Sequence, residues 1–117
     1  MPHIVIEGSV QLAAFFKAYA PSVHQLPGGA LKLMDAFINQ HASSMLIEAV
    51  AAECGPPNRF FIHILQHEMK TTVKLYPGSD PEKTQGVKKL LAIAARQILT
   101  ACPGTAYGST NLREYLL

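Results

Sequence analysis

The chain has 117 residues, 49% of them hydrophobic and 15% charged, with 10 Lys plus Arg against 8 Asp plus Glu and a net charge of +2. That length sustains one hydrophobic core, so residues 1–117 read as a single domain. The basic residues are scattered apart from Lys88-Lys89, and no run of apolar residues reaches the roughly eighteen needed to span a bilayer, so neither nucleic acid nor membrane is expected and the protein is expected to be cytoplasmic.

His3 to Glu7 alternates polar and apolar residues, the period of a half-buried strand. Ser9 is placed to cap a helix in which Leu12, Phe15, Phe16 and Tyr19 form one apolar stripe, disturbed or ended by Pro21. Residues 21–43 carry turn chemistry at Pro27-Gly28-Gly29 and a short helical pattern in Leu31, Met34, Phe37 and Ile38, and are read as irregular. Ser44 to Val50 and Phe60 to Leu65 read as strands that pair across the turn-forming segment Glu53 to Asn58. Ser79 and Glu82 have capping-box spacing ahead of the apolar stripe Val87, Leu90, Leu91, Ala94 and Ile98, which predicts a helix ending near Cys102, and Thr105 to Thr110 completes the chain as a short strand.

In order, these elements are strand, helix, strand, then strand, helix, strand. The expected fold is therefore α+β, with helices on one face of a sheet. So high an apolar share in so short a chain also predicts oligomerisation. Cys54 and Cys102 lack the spacing or density of a disulfide framework and read as reduced thiols. His63 and His67 have the H-x-x-x-H spacing of a helical metal pair, but in a strand they stand about 13 Å apart, so no metal site is expected. Ser43 and Ser44 have no G-x-S-x-G setting, and Gly28-Gly29 is a turn rather than a phosphate loop.

The opening Met1-Pro2-His3-Ile4-Val5-Ile6-Glu7, the strand Phe61-Ile62-His63-Ile64 and the segment Ser79-Asp80-Pro81-Glu82-Lys83-Thr84-Gln85 together resemble the tautomerase superfamily, in its 5-carboxymethyl-2-hydroxymuconate isomerase-like branch. The resemblance implies two β-α-β units forming a four-stranded mixed sheet with two helices on one face, and closure of three subunits into a homotrimer. It also implies a cofactor-independent isomerase in which Pro2, exposed by removal of Met1, is the catalytic base and then the acid. Burial among apolar neighbours disfavours the charged form of such an amine, so the base is available near neutral pH. The substrate implied is a small carbonyl acid undergoing a keto-enol or double-bond shift.

A developing enolate and a carboxylate both need cationic partners. At the positions of the family's arginines this chain has His41 and the segment Tyr76-Pro77-Gly78-Ser79, which makes Lys70, Lys74 and His41 the candidate substrate-binding residues. Lysine supplies charge without arginine's bidentate fork. The alternative is a non-catalytic protein of the same fold that uses its pocket or surface for binding.

Overall fold

The computed structural model describes every residue except Asp80 and Leu117. Its elements are β1 (His3–Glu7), α1 (Leu12–Ala18), β2 (Ser22–Leu26), β3 (Gly29–Ile38), β4 (Ser44–Ala52), β5 (Asn58–His67), β6 (Lys70–Leu75), α2 (Gln85–Ala101) and β7 (Ala106–Thr110), with 3-10 turns at Pro77–Ser79 and Arg113–Tyr115. The strands form one sheet in the order β2-β3-β4-β5-β6-β1-β7, curled into half a barrel, and every pairing is antiparallel.

This overturns the four-stranded mixed sheet of two β-α-β units. A β-α-β unit returns its second strand parallel to the first. Here β1 and β2, the strands on either side of α1, do not pair at all; β2 is an edge and β1 lies sixth. The chain instead makes a five-stranded meander from β2 to β6, whose last strand takes β1 as its neighbour.

Two hairpins produce the difference. Residues 21–43, expected to be irregular, contain β2 and β3, with Leu26 opposite Gly29 across the two-residue turn Pro27-Gly28. Proline sets the φ of the first turn position and Gly28 takes φ +81° at the second, the combination of a type II turn. The Met34-Asp35 bulge, opposite Glu48 alone, shifts which side chains face inward and breaks the simple alternation along β3. The second hairpin pairs His67 with Lys70 across Glu68-Met69, with Glu68 at φ +56°.

The expected strands at His3–Glu7, Ser44–Val50 and Phe60–Leu65 are present, the last two as antiparallel neighbours extended at their ends. Alternation sends Ile4, Ile6, Ile47, Ile62, Ile64 and Val73 to the concave face, where each is fully buried. Against them α2 packs Leu90, Leu91, Ala94, Ala95 and Ile98, also fully buried. The two alanines keep the helix surface low, so α2 can sit close to the sheet while its leucines fill the gaps beside it. Each fully buried Leu or Ile contributes about 1.5–3 kcal/mol relative to exposure.

Both helix starts differ from expectation. Ser9 does not cap α1; its N-cap is Gln11, with no side-chain cap. The α2 cap is Thr84, whose Oγ1 accepts the Val87 N–H at 3.2 Å. Ser79 is engaged elsewhere, accepting the Phe61 N–H at 3.0 Å and donating to the Tyr76 carbonyl at 3.1 Å. The second half of the α2 cap comes from another loop: Glu53, just after β4, accepts from Thr84 Oγ1 at 2.6 Å and from the Gly86 N–H at 3.0 Å. A carboxylate there satisfies orphan amides and complements the helix dipole.

Candidate functional site

Pro2 is buried at the head of β1, and its nitrogen is the amide of the Met1–Pro2 bond. The segment is stapled by Asn111, whose Nδ2 donates to the Met1 carbonyl at 2.8 Å and whose Oδ1 accepts the His3 N–H at 3.0 Å. Lys74 pairs in register with His3, on the outer face of the sheet, whereas Pro2 is buried as Ile4 and Ile6 are. Lys70 pairs with Glu7 at the other end of β1, about 17 Å from Pro2 at the rise of a strand. His41 is exposed in the β3–β4 turn, and β4 is three strand spacings, roughly 14 Å, from β1. Lys74 is thus near Pro2 in register but on the opposite face, and Lys70 and His41 stand apart. Among the described residues, none of the five principal clefts has Pro2 in its lining. No group of three or more His, Cys, Asp or Glu side chains able to hold a metal is found among them either.

The most developed cleft lies elsewhere, where the C-terminal ends of α1 and α2 meet the edge strand β2. It has a volume of about 540 Å³. Phe15 and Ile93 supply apolar wall, Ala18, Ala20 and Ala101 leave space by their small size, and Tyr19, His24, Arg96, Gln97 and Thr100 bring polar groups. A mainly apolar concavity with a few convergent polar groups is the usual form of a small-molecule site.

Each polar group is placed by a local feature of the chain. Tyr19 follows the last turn of α1, and its hydroxyl donates to the Met34 carbonyl at 2.6 Å, an acceptor that the β3 bulge turns away from the ladder. Burial, assisted by the negative charge of Asp35 in the same bulge, pushes the Tyr19 phenol up to about 12. It therefore remains a fixed, protonated donor and ties α1 to the sheet. On β2, Ser22 and His24 share a face two residues apart, with Ser22 Oγ 3.0 Å from His24 Nε2. On α2, Ile93, Gln97, Thr100 and Ala101 follow the i, i+4, i+7, i+8 spacing of one helix face, beside the stripe that packs on the sheet.

Gln97 carries an anomaly. Its side-chain oxygen is buried and has no hydrogen-bond partner. Such a group costs about 1–3 kcal/mol in a folded protein. Arg96 lines both this cleft and an adjacent one of about 340 Å³ that also holds Glu114 and Tyr115.

A second polar cluster lies on the outer face. Ser44 Oγ is 2.8 Å from His63 Nε2, and the imidazole meets the Tyr76 ring edge-on at 5.5 Å. Burial, and then the nearby positive charge of Lys74, hold the His63 pKa below its ordinary value. Among the described residues, none of the five principal clefts has Ser44 or His63 in its lining.

Comparison with protein-family models, with curated proteins and with solved structures finds no match to the chain. The function therefore rests on the site itself. Sequence reasoning passed over His24, Arg96 and Gln97, and read Tyr19 only as a member of an apolar stripe. The signal available for Gln97 and Thr100 was their recurrence with Ile93 on one face of α2; nothing local distinguishes His24 before β2 is known to be an edge strand.

Proposed function

We propose that the protein binds a small amphipathic molecule in the cleft between α1, β2 and α2, with the apolar body against Phe15 and Ile93 and an acidic head beside Arg96. The observation that carries this reading is a largely apolar cavity of about 540 Å³ whose lining converges the polar residues Tyr19, His24, Arg96, Gln97 and Thr100. The apolar wall would favour the body of such a molecule, and a guanidinium suits a carboxylate or sulfonate. No proton transfer is assigned to Tyr19, whose hydroxyl is both engaged and held protonated.

Titration with 8-anilinonaphthalene-1-sulfonate, an aromatic sulfonate whose fluorescence rises in apolar surroundings, tests this. One saturable site is expected, weakened about tenfold by Arg96→Ala, on the scale of a charge-assisted contact, and lost when Ala101→Trp fills the cavity. Equal binding by wild type and both variants would remove the cleft from the account.

A second reading, proton transfer by Pro2 in a cofactor-independent isomerase, draws support from the burial of Pro2 at the head of β1. It requires loss of Met1, because an amide nitrogen has no useful basicity, and an opening beside Pro2 that admits a carbonyl acid. Turnover of phenylenolpyruvate by wild type and Pro2→Ala separates the readings: equal rates leave Pro2 without a catalytic part.

A further inference from the structure

An antiparallel sheet covered on one face normally offers water a polar outer face. This one does not. Across the centre of the outer face the register aligns Phe37, Leu46, His63, Lys74 and His3, one from each of β3, β4, β5, β6 and β1. Phe61 adds a second aromatic ring, edge-on to Phe37 at 6.5 Å, and Leu65 and Tyr76 extend the apolar surface along the same side. Phe37 is 51% and Tyr76 39% exposed, although each is a large apolar side chain. A contiguous exposed patch of this kind marks an interaction surface.

The charges around the patch indicate the occupant. Asp35 and Glu48 lie on its β3–β4 side, and Lys70 and Lys74 on its β6 side, with β5 running between them. Lys32 and Arg59 flank Val50, at the end of the sheet beyond the aromatic residues. We infer that this face binds a second copy of the same chain about a two-fold axis running along β5. Such an axis lays β4 of one copy over β6 of the other. It brings Glu48 towards Lys74 of the second copy, two residues along from the position it faces, twice over, and stacks Phe61 and Leu65 on their own equivalents. Self-complementarity of this sort is what a two-fold interface requires. A face of mixed sign with apolar residues at its centre fits a protein copy better than an anionic lipid surface, which would select one sign throughout.

Sedimentation velocity over a range of micromolar concentrations tests the inference, with the expected species at twice the chain mass of 12.7 kDa. Phe37→Asp, at a position already half exposed, is expected to give a folded monomer with an unchanged far-ultraviolet spectrum. Glu48→Lys and Lys74→Glu are each expected to weaken association about tenfold, and their combination to restore it, because the exchanged charges meet again across the axis. A wild-type monomer throughout, a trimer, or a Phe37→Asp protein that associates like wild type would overturn the inference. So would charge reversals that add rather than cancel. A monomer that sediments with anionic phospholipid vesicles would give the face to lipid and overturn it equally.

Discussion

At the start of α2 the backbone amides are answered from within the protein: Glu53 takes the Gly86 N–H and the Thr84 hydroxyl, and Thr84 takes the Val87 N–H. Along the last turns of the same helix, Gln97 keeps a buried oxygen without a partner and Thr100 and Ala101 border open space. One end joins the β4–β5 loop to the helix through the Gly86 and Val87 amides; the other is held against the sheet by Ala94, Ala95 and Ile98 while the adjoining flank borders the cleft. Rigidity and vacancy are thus built into one element, an arrangement that suits a preformed binding site because the wall does not depend on the ligand for its position.

The largest effect expected at the closed end is that of Glu53→Ala, which removes two hydrogen bonds to a carboxylate and its interaction with the helix dipole. A loss of about 2–3 kcal/mol in urea unfolding is predicted. A loss below about 0.5 kcal/mol, ordinary for a surface change, would mean that the latch does not hold the helix.

At the open end, Tyr19→Phe should cost about 1 kcal/mol through the bond to the Met34 carbonyl. The same phenol has a pH signature. Its folded value of about 12 exceeds the ordinary 10.0, so its contribution to stability is complete below pH 10 and is lost as pH rises towards 12. Ultraviolet absorbance of tyrosinate should show that Tyr19→Phe deletes a phenol titrating at about 12. On the outer face His63 behaves oppositely. Its lowered value means that its contribution is present above the ordinary 6.5 and declines as pH falls below it.

Gly86→Ala sharpens the comparison by its sign. Inside a helix this exchange usually stabilises by about 0.4–1 kcal/mol. Here a Cβ would stand 2.6 Å from the Glu53 carboxyl carbon, displacing the latch, so destabilisation is expected instead. In the Glu53→Ala background the obstruction is gone and the ordinary gain should return, which a double-mutant cycle reads directly. The smallest stability change belongs to Ala18→Leu at the cleft rim, within about 0.5 kcal/mol, accompanied by weaker sulfonate binding.

What the sequence conveyed follows from where local pattern and tertiary position agree. β1, β4, β5 and α2 were legible because each alternates or recurs against a single apolar neighbour. β3 was not, because the bulge at Met34-Asp35 shifts its inward set and imitates a helical spacing in Leu31, Met34, Phe37 and Ile38. β6 was missed because Lys-Thr-Thr-Val-Lys-Leu buries a threonine, Thr71, where an apolar residue would have announced a strand. Without β2, β3 and β6 a meander reads as a pair of β-α-β units, the architecture that the resemblance to tautomerases implies and the antiparallel sheet contradicts. The cleft was hidden for a related reason: its lining comes from an edge strand and two helix ends whose meeting depends on the whole topology.

Binding at the open end of α2 is tested most directly by following backbone amide resonances while decanoate, and separately decan-1-ol, is added. The account predicts saturable shifts clustered at residues 18–24 and 93–101, with decanoate binding more tightly than the alcohol because Arg96 meets its carboxylate. Shifts confined to Phe37, Leu46 and Phe61 on the outer face, or none at either place, would contradict it.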